Sequence, residues 1–404
     1  MGYLGNVKSI HGDSLVRAST NVNGEISLSA GGKLYKQRQS ILAPIGDMGY
    51  CVLSPSVNAC RGMARAMDFD IGAVKARFYN GSLTQQDGCY ASVAVVNADD
   101  PYGISAAWTI LTVNGSQSFT TPSGTGTIPE HTFGIVDSDM AFIQGSAGQL
   151  LLIRYFTPTA NSTRFQHPTR FTPTINADGT FFYYQIGNGV LNPNGFTKNN
   201  IGSGPAMGLF VYPTNPLRSF VFSGGSTVSG QGDSVTLGWV RRFEKLAELS
   251  GKPISTMNLG HPSSTNDASI VRLLQALSDF RPTFAGYMPF SPNGNPVMTD
   301  APKMKAQALQ FIEACANVGT IPILITFQPP RTQGAGTQAC CQAVNDYTRE
   351  LGANGACIVI DFQLLFGGST TALTWADSND TSDNTHPSAQ GHGKAASLFM
   401  SELF

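Results

Sequence analysis

From Arg218 to the C-terminus, short apolar runs alternate with stretches of helical periodicity, and this alternation restricts the second half to few folds. Residues 219–223 read as a strand. Residues 234–250 then carry Leu237, Val240, Phe243, Leu246 and Leu249 at helical spacing. Residues 254–259 read as a strand and 267–280 as a helix, with Ile270, Leu273, Leu274 and Leu277 on one face and Asp267 available as cap. Strands at 283–288, 321–327 and 356–362 follow. Helices at 301–318, with Pro302 near its start, and at 338–351 separate them, and a last helix at 387–404 again has a proline in its first turn. Five β-α units in series predict a parallel sheet with helices on both faces. Ligands of such sheets bind beyond the carboxyl ends of the strands, so the loops after each strand are where chemistry is to be sought.

The first half has a different texture. Up to about residue 215, short runs such as 74–79, 90–96, 107–113 and 150–156 are rich in β-branched and aromatic residues. Asn80-Gly81, Asp87-Gly88, Asn114-Gly115 and Asp178-Gly179 punctuate them as turn signals, and residues 116–128 read as a loop or polar edge. This predicts an all-β, sandwich-like domain over residues 1–215, ahead of an α/β domain over 216–404.

Composition narrows the partners. Twenty-five basic and 26 acidic residues leave a net charge of −1, and only 13% of the 404 residues are charged. A nucleic-acid partner would need a basic face, so none is expected. No apolar run is long enough for a membrane span. The start, MGYLGNVKSIHGDSL, has no apolar core of a secretory signal, and Asn6 argues against myristoylation. The compartment stays open between a chain that remains inside the cell, one whose signal has been removed and one exported by another route; an extracellular or virion-associated setting is favoured. The seven cysteines show no metal spacing, and most read as buried small apolar residues. No H-E-x-x-H or paired Cys/His set occurs, so neither a catalytic metal nor another cofactor is expected.

Two strand-end loops draw attention. The loop after the first strand of the series holds Gly224-Gly225-Ser226-Thr227. A serine among glycines between strand and helix can be an exposed nucleophile, with backbone N–H groups turned to an oxyanion. A phosphate loop would end in Gly-Lys-Ser/Thr, which is missing; a plain turn remains the alternative. Before the last helix, Asp383 and His386 stand three residues apart, close enough for the carboxylate to orient the imidazole. Helix capping in a surface loop is the other reading. The loop with Asn258-Leu259-Gly260-His261 can present the Gly260 N–H, and the one with Ser291-Pro292-Asn293-Gly294 can present the Asn293 amide; either can equally be an ordinary turn.

In this order, the four loops resemble the sequence blocks of the GDSL-type (SGNH) hydrolases, over about residues 217–404. The matching positions are Ser226, Gly260, Asn293 and the Asp383–His386 pair. The resemblance implies a flavodoxin-like three-layer α/β/α sandwich and metal-free ester hydrolysis. It further implies a catalytic Ser226-His386-Asp383 triad and an oxyanion hole built from Ser226, Gly260 and Asn293. Relatives with a β-rich partner domain point to O-acetyl groups on a carbohydrate as the substrate.

Two departures stand out: Gly225 replaces the family's Asp before the nucleophile, and Gly294 the Asp after the third-block Asn. They keep open a degenerate, non-catalytic domain in a carbohydrate-binding or structural protein such as a phage tail component. The literal matches Gly12-Asp13-Ser14-Leu15 and Gly232-Asp233-Ser234 read as decoys. The first lies outside the β-α series; in the second, Ser234 falls where a helix cap belongs. His261 is a candidate pocket residue. His392 lies off the face of His386, and His11, His131 and His167 are scattered through the first half.

Overall fold

In the computed structural model, residues 238–404 are described without a break, as are most of 59–158 and 207–233. Residues 188–191 and the backbones of short strands at 17–20, 26–30, 33–37, 43–47, 51–54, 162–166, 180–186 and 203–205 complete the description. Gly12-Asp13-Ser14-Leu15, Ser234, His11, His131, His167 and the Asp178-Gly179 turn lie outside the described residues.

The second half forms five parallel strands: β1 (Arg218–Ser223), β2 (Ile254–Asn258), β3 (Phe284–Tyr287), β4 (Ile321–Ile325) and β5 (Ile358–Ile360). Their order in the sheet is β2-β1-β3-β4-β5, the doubly wound, flavodoxin-like arrangement. Among the described residues six α-helices accompany them: α1 (Trp239–Leu249), α2 (Asn266–Phe280), α3 (Ala301–Val318), α4 (Ala335–Ala353), α5 (Phe362–Gly367) and α6 (Ala389–Leu403).

Alternation along β1 explains why helices cover both faces. Phe220 and Phe222 pack with Trp239, Phe243 and Phe399 from α1 and α6, whereas Val221 packs with Ile270, Leu273 and Phe311 from α2 and α3. Trp239 stacks on Phe399 with ring centroids 4.5 Å apart. Buried aromatics of this kind each contribute about 1.5–3 kcal/mol of transfer free energy.

Three local expectations change. The cap of α2 is Thr265, whose side chain accepts from the Ala268 N–H. Asp267 instead reaches across to α3, where Lys303 and Gln307 donate to its carboxylate. Ser388 caps α6, which leaves Pro387 just outside the helix. The run at 356–362 yields a strand of only three residues, because Asp361 caps α5 by accepting from the Leu364 N–H.

The β-rich half supplies two layers. A six-stranded antiparallel sheet is built around the strands Ala59–Ala66, Gln86–Val96 and Leu150–Thr157. It packs on a second sheet containing Ile71–Asn80 and Met207–Pro213, and Val93, Ile153 and Tyr155 of one meet Val74, Phe78 and Leu209 of the other in a single core. Asn114 and Gly115, both at positive φ, make the tight turn that the Asn-Gly pair predicts. Asp87-Gly88, read as a turn, lies inside a strand, with Gly88 at φ 67 where the pairing register shifts.

The second sheet does not end at the change of texture near residue 215. Met207–Pro213 pairs antiparallel with Ala43–Asp47, which pairs parallel with β2, so ten strands share one sheet. A buried ion network also crosses between the halves. Arg65 and Arg241 both donate to Glu244, and Arg241 and Lys245 both donate to Asp68. Burial raises the Asp68 carboxyl, but Arg241 and Lys245 outweigh it and hold it below the usual carboxylate range.

Candidate active site

The carboxyl ends of β1 to β4 and the segment before α6 meet at one edge of the sheet. After β1 the chain turns back on itself: Val228 and Ser229 N–H donate to the Gly225 carbonyl, and Gln231 N–H donates to the Ser226 carbonyl. The glycines that take positive φ here are Gly230 and Gly232, at 89° and 97°. Gly232 also lets the His386 loop come close, since a Cβ there would lie 2.2 Å from the Pro387 carbonyl oxygen.

Ser226, His386 and Asp383 come together. The His386 Nε2 lies 2.8 Å from Ser226 Oγ, and its Nδ1 lies 2.7 Å from Asp383 Oδ2. The other carboxylate oxygen, Asp383 Oδ1, accepts from the N–H groups of Thr385 and His386 at 2.8 and 2.7 Å. An ionised carboxylate only accepts, so Nδ1 carries the proton and Nε2 is the basic nitrogen facing the serine. Partial burial raises the Asp383 carboxyl, yet hydrogen bonds from the His386 ring and from the two backbone N–H groups outweigh it, and its pKa lies below the ordinary value.

The three expected oxyanion donors stand differently. The Ser226 N–H makes no hydrogen bond among the described residues. The Gly260 N–H donates to Asn258 Oδ1 at 2.9 Å, while the Asn258 amide donates to the Val228 carbonyl at 2.7 Å. Asn258 thereby ties the second loop to the first. Gly260 has no room for a side chain: a Cβ would lie 2.4 Å from Ser229 N and 2.6 Å from Val228 C. The Asn293 amide donates to the Ser264 carbonyl and to Ser291 Oγ, both at 3.0 Å. A Cβ at Gly225 would stand 3.4 Å from Ser291 Oγ and 3.8 Å from Asn293 Nδ2. The side chain missing at 225 would thus have pointed at this same pair, and Ser291 holds Asn293 from there. Gly294, at φ 85, sits in a backbone region that disfavours an aspartate.

The remaining candidates separate. His261 is buried and its Nδ1 lies 2.5 Å from the Pro262 carbonyl oxygen. Asp233 of the Gly-Asp-Ser decoy is buried and held by Arg242. Cys60, Cys89, Cys315, Cys340, Cys341 and Cys357 are buried. Among the described residues no group of three or more His, Cys, Asp or Glu side chains could hold a metal ion, and no helix is long and apolar enough to cross a membrane.

His392, discounted from its spacing, has a structural task beneath the site. Its Nδ1 accepts from the Trp239 N–H at 3.1 Å and its Nε2 donates to the Gln231 carbonyl at 3.0 Å, joining α6 to the start of α1 and to the Ser226 loop. Burial disfavours the charged ring and pushes its pKa down to about 4; the bond to the Gln231 carbonyl and the charge of Asp233 oppose this, and Arg242 and His386 add to it. The unfolded chain therefore takes this proton first. The stability that neutral His392 contributes is complete above its unfolded value near 6.5 and is lost as pH falls from there through about 4. The loss is on the order of 3 kcal/mol. In denaturant titrations, the parent is expected to lose more stability between pH 7 and 4 than His392→Gln does. Equal pH dependence in the two chains would contradict the buried neutral ring.

No family model matches the sequence, and no curated protein matches it either. Solved structures that it resembles include GDSL-type lipases, esterases and acylhydrolases. A psychrotrophic esterase from Pseudoalteromonas sp. is 14% identical, with 46% of this chain and 95% of that one covered and a TM-score of 0.36. A lipase/acylhydrolase from Enterococcus faecalis is 18% identical over 46% and 95%, at 0.38. A putative lipolytic protein of the G-D-S-L family from Desulfitobacterium hafniense is 15% identical over 46% and 99%, also at 0.38. At this distance the likeness assigns no residue a role.

Proposed function

We propose that the chain is a serine esterase in which Ser226, His386 and Asp383 form the catalytic triad. The observation that carries this reading is the continuous hydrogen-bonded run from Asp383 through His386 to Ser226. Ser226 Oγ attacks the acyl carbon as His386 Nε2 takes its proton. His386 returns that proton to the leaving alkoxide, which departs and leaves an acyl-serine. Water, deprotonated by His386, then attacks the acyl carbon; the bond from that carbon to Ser226 Oγ breaks, Oγ takes the proton back from His386, and the carboxylic acid leaves. Asp383 keeps the imidazole in the right tautomer and stabilises its charged form. The Ser226 N–H is ready for the oxyanion. Gly260 and Asn293 complete the hole by turning donors now engaged by Asn258, Ser264 and Ser291, a tightening that substrate-free sites commonly undergo.

For the substrate we propose O-acyl groups, acetyl above all, on a carbohydrate, bound with help from the β-rich residues 1–215 while residues 216–404 carry the chemistry. This follows from the family resemblance taken together with the β-rich first half. The engagement of Gly260 and Asn293 by protein acceptors favours one other reading, a carbohydrate-binding or structural protein whose hydrolase domain no longer turns over. Labelling with a fluorophosphonate decides between them: Ser226-dependent labelling supports the esterase, and an unlabelled chain supports the binder. Hydrolysis rates on p-nitrophenyl esters of rising chain length then define the acyl group.

Asn293→Ala is expected to lower kcat by roughly 10²–10³ with KM little changed, because a donor to the oxyanion strengthens its bond in the transition state. An effect confined to KM would reassign Asn293 to substrate binding.

A further inference from the structure

The nucleophile and its base sit on loops 160 residues apart in sequence, and one buried side chain touches both loops. Gln328, which follows β4 and has no exposed surface, donates from its single amide nitrogen to Thr227 Oγ1 at 2.6 Å and to the Thr385 carbonyl at 2.8 Å. Thr227 is the neighbour of Ser226, and Thr385 is the neighbour of His386. The orientation of the amide follows from chemistry: a carbonyl oxygen only accepts, so the nitrogen must face Thr385.

The base of this clamp is itself fixed. The Asn345 side chain on α4 accepts from the Phe327 N–H at 2.8 Å and donates to the Phe327 carbonyl at 2.9 Å. Pro329 follows Gln328 and restricts it to an extended backbone. We infer that Gln328 is a positioning residue that sets the separation of Ser226 and His386 through Thr227 and Thr385. The inference rests on the esterase reading above. Gln328 acts on the alignment of nucleophile and base, where a misplacement of about 1 Å can cost on the order of 10²-fold in rate.

The test uses the full chain. Gln328→Met keeps the length of the side chain and removes both donors. It is expected to lower kcat on p-nitrophenyl acetate and the rate of fluorophosphonate labelling at Ser226 together, by roughly 10–10², with KM within a factor of about three. Gln328→Glu adds a signature that general damage to the fold lacks. Its ionised carboxylate has no donor and faces the Thr385 carbonyl, whereas the protonated acid regains one O–H donor. Its activity relative to the parent should therefore rise as pH falls, while that of Gln328→Met stays level. Should Gln328→Met fail to fold, Thr227→Val removes one arm of the clamp at nearly constant volume, and its labelling should slow several-fold. Labelling by Gln328→Met, or by Thr227→Val where that variant is needed, within twofold of the parent overturns the clamp alone. A parent chain that is not labelled at Ser226 overturns the esterase reading, and the clamp with it.

Discussion

Ser226→Ala is expected to lower kcat toward a small acyl ester by roughly 10⁴–10⁶ while leaving the fold intact. The hydroxyl is the atom that forms the acyl intermediate, and alanine offers neither oxygen nor proton in its place. What remains is the stabilisation that the oxyanion donors and binding supply without a nucleophile. The fold should be little affected, because the only hydrogen bond of Ser226 Oγ among the described residues is the one to His386. The loop is shaped instead by its backbone, with Val228 and Ser229 turned onto the Gly225 carbonyl. A change in stability of about 0.5 kcal/mol or less is expected. Initial rates on p-nitrophenyl acetate, compared at matched unfolding midpoints, check this. Activity within a factor of a few of the parent would remove Ser226 from the chemistry.

His386→Ala should be nearly as severe, because without Nε2 no group among the described residues is placed to take the Ser226 proton. Asp383→Asn should be milder, with roughly 10³-fold lost. The reason lies in the double use of the carboxylate. Oδ1 accepts from two backbone N–H groups and Oδ2 accepts from the imidazole. An asparagine has one acceptor oxygen, so it satisfies either the backbone pair or the ring. With its NH₂ toward the ring it selects the tautomer that turns an N–H toward Ser226. The carboxylate is also 47% exposed, so water can replace part of its contribution. Measurement of kcat for both variants tests the ranking. A larger loss in Asp383→Asn than in His386→Ala would mean that the loop, and not the base, depends on Asp383.

Parts of this site were legible because their geometry is local. Asp383 and His386 are three residues apart, and a carboxylate that folds back on the next two N–H groups brings its second oxygen to the ring with little help from elsewhere. The five β-α units were legible because a strand buried on both faces and an amphipathic helix have different hydrophobic periods. Right-handed crossover then puts every strand-end loop on one edge. The first half yielded its sheet character, and Asn114-Gly115 its turn, by the same kind of short-range rule.

The composition and periodicity of the chain determined the layers, the edge where the loops gather, and the residue types brought there. The tertiary structure alone decided what holds those residues in place. Asn258, Ser291, Gln328 and His392 are amides, a hydroxyl and a ring that each have a partner on another loop or helix, up to 161 residues away. Such bonds leave no periodic trace. They are set by which buried donor needs which buried acceptor once water is excluded, and that pairing exists only after the strands have assembled. The same holds for Arg65 with Glu244, and for the strand Ala43–Asp47 that carries the sheet from one half of the chain into the other.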